Sequence, residues 1–132
     1  MTLKLNMLPP SVNNMSVRVF VRAAGLPYEE ENVWGQTQSD EYRAKVPSGL
    51  TPSIEAEGLP KGAMWESCAV MMYLASREGL SNLYPTDLER RSLVDSANCG
   101  HVTEALKSFC ETPTSLAVSY GVEDGRITRR VK

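Results

Sequence analysis

The sequence predicts an α/β domain of order β-α-β-α-β-β-α followed by a shorter helical region, and three observations carry that expectation. Residues 2–8 (TLKLNML) alternate apolar and polar at period two, which marks a strand. A helical repeat over residues 12–24 separates them from a second strand pattern, so the two strands run parallel if the helix is a crossover. Two short strand patterns joined by a Gly58–Gly62 turn carrying Pro60 then lead into an apolar run of helical length. A mixed sheet with helices on both faces accommodates all three.

Pro9-Pro10 ends the first strand. Met15, Val19, Phe20 and Ala23 supply an apolar side to a helix from Val12 to Ala24, while Arg18 and Arg22, four apart, read as a solvated face. Gly25 stops that helix and Leu26-Pro27 turns the chain into the second strand, Tyr28 to Trp34. Gly35 to Val46 is polar, with at most a short helix at Asp40–Lys45. Ser53–Glu57 and Ala63–Trp65 form the hairpin, and a helix from Glu66 to Glu78 follows. Its stretch 68–75 is apolar nearly all round and needs cover on both sides; Trp65 and Tyr73 read as core.

Thr86-Asp87-Leu88-Glu89 is a capping box with Thr86 as N-cap, so a long helix from 86 to 110 is expected. Leu88, Leu93, Val94, Ala97, Val102, Ala105 and Phe109 give it an apolar side that could cover Met71 and Met72. Pro113 ends it, and residues 116–131 alternate like a hairpin around Asp124-Gly125.

Composition narrows the classes of function. Fourteen basic and sixteen acidic residues give a net charge of −2, which invites neither nucleic acid nor a membrane surface. No apolar run approaches the length of a membrane span, so the expectation is a soluble, cytoplasmic protein without membrane insertion. Cys68, Cys99 and Cys110 are odd in number with no CxxC pair, and Cys68 and Cys99 lie in apolar helical patterns. Reduced, packed thiols are expected, and with one histidine a metal site is not.

Chemistry concentrates between Val46 and Tyr73. Thr51-Pro52 stands before a strand, where a cis X-Pro bond would turn the Thr51 N–H and C=O outward to pair with a peptide-like ligand. Fourteen residues on, Glu66-Ser67 opens a helix, setting a hydroxyl and unpaired backbone N–H groups where an anion such as a carboxylate binds. A plain alternative stands beside each: an edge-strand proline, and a serine that only caps.

The run Pro47-x-Gly49-x-Thr51-Pro52-x-Ile54, then Glu66-Ser67-x-Ala69-Val70-x-x-Tyr73-Leu74, resembles the amino-terminal half of the glutathione transferases, as do Gly25-Leu26-Pro27-Tyr28-Glu29 and Leu83-Tyr84-Pro85. The likeness extends from residue 3 to about 110. It implies a thioredoxin-like, glutathione-binding domain over residues 1–79, a linker at 80–85, and over 86–132 a truncated all-helical domain, one long helix plus an irregular tail. Glutathione would be the co-substrate. Glu66 and Ser67 would hold its γ-glutamyl end, Thr51 before Pro52 would pair with the cysteinyl part, and Gln36 and Gln38 could reach the glycyl carboxylate; loop glutamines are also commonly just solvated.

Ser11-Val12-Asn13-Asn14-Met15-Ser16-Val17-Arg18 resembles the activating run of bacterial and fungal members, with Asn13 where other classes hold Ser or Cys. By that resemblance Asn13, or the Ser11 hydroxyl, would stabilise the thiolate; both, with Asn14, could equally be capping and turn residues. Cys99 stands where an Asp would reach a partner subunit in some classes. The implied activity is thiolate attack on an electrophile in a detoxifying transferase, working as a homodimer or within a larger complex. The short second domain and its non-helical tail point instead to a non-catalytic subunit that docks in an assembly.

Overall fold

The computed structural model describes residues 3–111, 119–123 and 126–130, with side chains over residues 3–100. Two compact units divide the chain, Met1–Arg91 and Ser92–Lys132.

The first unit is a four-stranded mixed sheet of order β2-β1-β3-β4 with helices on both faces, the thioredoxin-like arrangement. β1 (Leu3–Met7) runs parallel to β2 (Tyr28–Asn32), with α1 (Val12–Ala23) as the crossover between them. β3 (Ser53–Glu55) pairs antiparallel with β1 and with β4 (Ala63–Trp65). On one face Leu3, Leu5 and Met7 of β1 and Ile54 of β3 meet Val17 and Val21 of α1 and Val70 and Leu74 of α3 (Ser67–Arg77). Full burial of each such leucine or isoleucine contributes about 1.5–3 kcal/mol, so this layer dominates the stability of the unit.

The other face joins α2 (Asp40–Lys45) to the sheet largely through polar groups. Val33, Tyr42, Val46 and Ala63 form a small apolar cluster there, with Leu8 and Trp65 packed against it. Beside it, the buried Asn6 side chain donates to Ser53 Oγ at 3.3 Å and Glu55 Oε1 at 3.0 Å, and Lys45 Nζ donates to Glu55 Oε2 at 3.1 Å. Burial pushes the Glu55 carboxyl up, but the hydrogen bonds from Asn6 and Lys45 and the charges of Lys45 and Lys4 outweigh it and hold the group below its ordinary value.

The apolar side of α1 differs from the one expected. Its buried residues are Asn14, Val17 and Val21, whereas Met15 is 47% and Val19 58% exposed. The true face follows i, i+3, i+7 from a polar residue, and counting apolar residues alone shifts the phase. Of the two arginines expected on a solvated face, Arg22 is exposed, with 64% of its side chain accessible, whereas Arg18 is half-buried. Arg18 forms a two-pronged pair with Glu30 (Nε to Oε1 2.9 Å, Nη2 to Oε2 3.0 Å), while Arg22 donates to Tyr28 Oη at 2.8 Å and to Glu30 Oε1 at 3.3 Å. The Arg18 guanidinium holds the Glu30 carboxyl below its ordinary value against the opposing effect of burial. These contacts tie α1 to the edge strand β2.

β2 stops two residues short of Trp34 because Asn32 Oδ1 accepts from Trp34 N–H at 3.0 Å, a side-chain turn that replaces the ladder and leaves Trp34 68% exposed. Trp65 and Tyr73, read as core, are partly buried against the two apolar clusters. α4 (Leu88–Glu111) starts two residues later than expected, and its cap is Asp87: the Asp87 carboxylate accepts from Arg90 N–H and its carbonyl from Arg91 N–H, each at 2.9 Å. An Asp carboxylate at the positive helix end outcompetes the neutral Thr86 hydroxyl one residue earlier.

Arg91 fastens the preceding turn, donating to the Pro85 carbonyl at 2.8 Å and lying 4.8 Å from the centre of the Tyr84 ring. In the second unit, β5 (Ser119–Glu123) and β6 (Arg126–Arg130) pair antiparallel, Glu123 opposite Arg126. Cys68 is half-buried and Cys99 exposed, so Cys99 is not the packed thiol expected, and neither is in a disulfide; the Cys110 side chain lies outside the described residues. No described helix is long and apolar enough to cross a membrane.

Candidate functional site

The strand register brings the two informative motifs together. β3 and β4 pair through Ser53 and Trp65, and the same register carried onward sets Pro52 opposite Glu66 and Thr51 opposite Ser67. Fourteen residues of sequence thus become one strand spacing. The Thr51–Pro52 bond is cis and Pro52 is buried. Thr51, Pro52, Glu66 and Ser67 line a small open cleft whose remaining walls are Asn13, Leu50 and Trp65.

The loop entering the cleft is pinned residue by residue. Gly49 N–H donates to the Val46 carbonyl at 2.9 Å, with Gly49 buried at φ +64, a turn that an L side chain rarely tolerates. Gln38 Nε2 donates to the Gly49 carbonyl at 3.1 Å and Tyr42 Oη to the Leu50 carbonyl at 2.9 Å. Tyr42 Oη also shares a 3.0 Å hydrogen bond with the fully buried Ser53 Oγ, and burial pushes its phenol above the ordinary tyrosine range.

Two helix N-termini contribute to the cleft. Asn13 is the second residue of α1, and Ser67 is the first of α3, where the free N–H groups of the opening turn carry partial positive charge and the first turn itself holds no acidic residue. Ser67 is 5% exposed, and no described residue hydrogen-bonds its hydroxyl. The cap of α3 is Glu66, not Ser67, and it makes no side-chain capping bond. Its φ of 71 is left-handed for a residue with a Cβ, a conformation costing on the order of 1–3 kcal/mol that concentrates at functional positions.

The other candidates are placed differently. Ser11 is the N-cap of α1, but its hydroxyl makes no capping bond and it does not line the cleft. Gln36 is exposed outside the lining, and Gln38 is committed to Gly49. Asn14, passed over in the sequence as a turn residue, is fully buried and spans two segments: its Oδ1 accepts from Leu8 N–H at 3.0 Å and its Nδ2 donates to Thr51 Oγ1 at 3.1 Å. Its place at i−3 and i−7 from Val17 and Val21 was the available signal.

A family model described as glutathione S-transferase, N-terminal domain, matches residues 7–82, more than half of the chain. The chain belongs to the glutathione S-transferase family. Solved structures of similar fold include a diazinon-metabolizing glutathione S-transferase of the silkworm Bombyx mori, 28% identical over 86% of this chain and 58% of that one with a TM-score of 0.73. An epsilon-class glutathione S-transferase of the housefly Musca domestica is 28% identical over 83% and 47%, TM-score 0.62. A glutathione transferase homolog of Drosophila mojavensis with bound glutathione is 27% identical over 84% and 49%, TM-score 0.65. This glutathione S-transferase chain therefore spans roughly half the length of the structures it matches. No curated protein sequence matches it.

Proposed function

We propose that the cleft binds glutathione and activates its thiol for attack on an electrophile, glutathione being the co-substrate. The observation that carries this reading is the convergence in one cleft of Thr51, the buried Ser67 at the start of α3, and Asn13 at the start of α1. In this assignment Ser67 and the α3 N–H groups take the γ-glutamyl carboxylate, Glu66 accepts from the γ-glutamyl amine, and the Thr51 main chain before Pro52 pairs with the cysteinyl part. Asn13 faces the thiol. Gln36 and Gln38 serve the glycyl carboxylate only if the loop rearranges, since Gln38 is already engaged. The glutathione-bound relative from Drosophila mojavensis supports the ligand assignment.

A thiol with a pKa near 8.5 is about 3% thiolate at neutral pH. One charge-assisted hydrogen bond, worth about 1.5–3 kcal/mol, lowers that pKa by about one to two units. An Asn13 amide N–H, helped by the α1 N-terminus, can supply it, whereas the Ser11 hydroxyl stands outside the cleft lining. The expected result is that native protein retains glutathione and generates thiolate at neutral pH by ultraviolet titration, and that Asn13→Ala raises the bound thiol pKa by about one to two units. No retention of glutathione by the native chain would overturn the reading. Binding without thiolate formation would assign a non-catalytic, glutathione-binding role.

We further infer that residues 1–79 are the ligand-binding domain, 80–85 the linker and 86–132 a partial second domain, in a cytoplasmic, detoxifying protein that acts as a homodimer or within a larger complex. The contact assigned here is α4, whose Leu88 is 76% and Leu93 74% exposed. Covering these two side chains contributes roughly 2–4 kcal/mol before any further contact is counted. Sedimentation equilibrium at micromolar concentration should give twice the chain mass or more; a well-behaved monomer would refute the assignment.

A further inference from the structure

Asn14 is fully buried, and its amide is oriented without ambiguity. A backbone N–H can only donate, so the oxygen must face Leu8 and the NH₂ group must face Thr51 Oγ1, as the 3.0 and 3.1 Å contacts have it. The strand ladder explains what the bridge replaces. β1 pairs with β3 through Asn6 and Ser53, and the same register carried two residues further sets Leu8 opposite Thr51. Pro52 between them has no N–H, so the ladder stops and Asn14 fills the gap. One side chain therefore joins the end of β1, the start of α1 and the Thr51 segment, the first two of which lead directly into Asn13.

We propose that Asn14 is a positioning residue for the ligand site, acting through the Thr51 hydroxyl to hold the Thr51 main chain and its own neighbour Asn13 in fixed relation across the cleft. This rests on the reading of the cleft as a glutathione site. The threonine side chain, which pairing of the Thr51 main chain does not require, is the handle by which α1 holds it.

A merely structural Asn14 would matter only through Leu8. The two roles separate at Thr51, because Thr51→Val removes the acceptor with little change of shape and leaves the bond to Leu8 in place, whereas Thr51→Ser keeps a hydroxyl. Two readouts follow: solvent exchange of the Asn14 side-chain amide protons by NMR, and glutathione affinity by calorimetry. In Thr51→Val those protons exchange faster and affinity falls about three- to tenfold, and Thr51→Ser recovers both. Native-like affinity in Thr51→Val, or equal losses in the valine and serine variants, overturns the positioning role while leaving the glutathione site standing. A native protein that binds no glutathione overturns both.

Discussion

Gly49→Ala should destabilise the protein by roughly 2–4 kcal/mol and sharply weaken ligand binding, although residue 49 lies outside the cleft lining. The backbone there has φ +64, where a Cβ costs about 1–2 kcal/mol by itself. The added Cβ would also stand 2.9 Å from the Thr37 carbonyl oxygen, 2.9 Å from Gln38 Nε2 and 3.4 Å from Arg43 Nε. Gln38 can swing away only by giving up its bond to the Gly49 carbonyl. The Thr37 oxygen is backbone and cannot move without its loop. Relief must therefore come from displacement of residues 46–50, which shifts Leu50 and Thr51 and loosens the Tyr42 contact to the Leu50 carbonyl. Urea unfolding should show a lower midpoint with an unchanged slope, and calorimetry a lost or much weakened glutathione isotherm. A variant within 0.5 kcal/mol of native, with unaltered affinity, would mean the loop is soft and the pinning unimportant.

How far the sequence carries depends on how local each signal is. Period-two alternation in residues 2–8, Gly25 as a stop and the Gly58–Gly62 turn each state their meaning within a few residues, and the element order follows from them. The convergence of Thr51 and Ser67 was also legible, because a tight hairpin dictates its own register. Side-chain bonds between distant segments leave no such trace. Asn14 reaches Thr51 across 37 residues and Arg18 reaches Glu30 across 12, and both were read as local or solvated groups. The helix starts show the same limit: Thr86 and Asp87 both suit a cap, and the one that the chain geometry presents to Arg90 N–H is Asp87. Glu66 in a left-handed conformation could not be read at all, since glutamate carries no preference for it.

Ser67→Ala is expected to weaken glutathione binding by about 1–3 kcal/mol, or about five- to 150-fold, while leaving the fold intact. The Ser67 residue is 5% exposed and no described residue hydrogen-bonds its hydroxyl, so the hydroxyl is held at the cleft wall and a ligand carboxylate displaces no internal partner when it takes the bond. It stands at the first position of an eleven-residue helix whose opening turn holds no acid, so hydroxyl and free N–H groups act on the same anion. Alanine removes only the hydroxyl. The N–H groups remain, which sets the lower end of the range; loss of the short charge-assisted bond sets the upper end. Stability should scarcely change, because Ser67 follows the cap instead of forming it and alanine is the best helix former. Equal melting temperatures with a raised dissociation constant by calorimetry would support the anion assignment. An unchanged dissociation constant would remove Ser67 from the site and leave the γ-glutamyl carboxylate to be held elsewhere in the cleft.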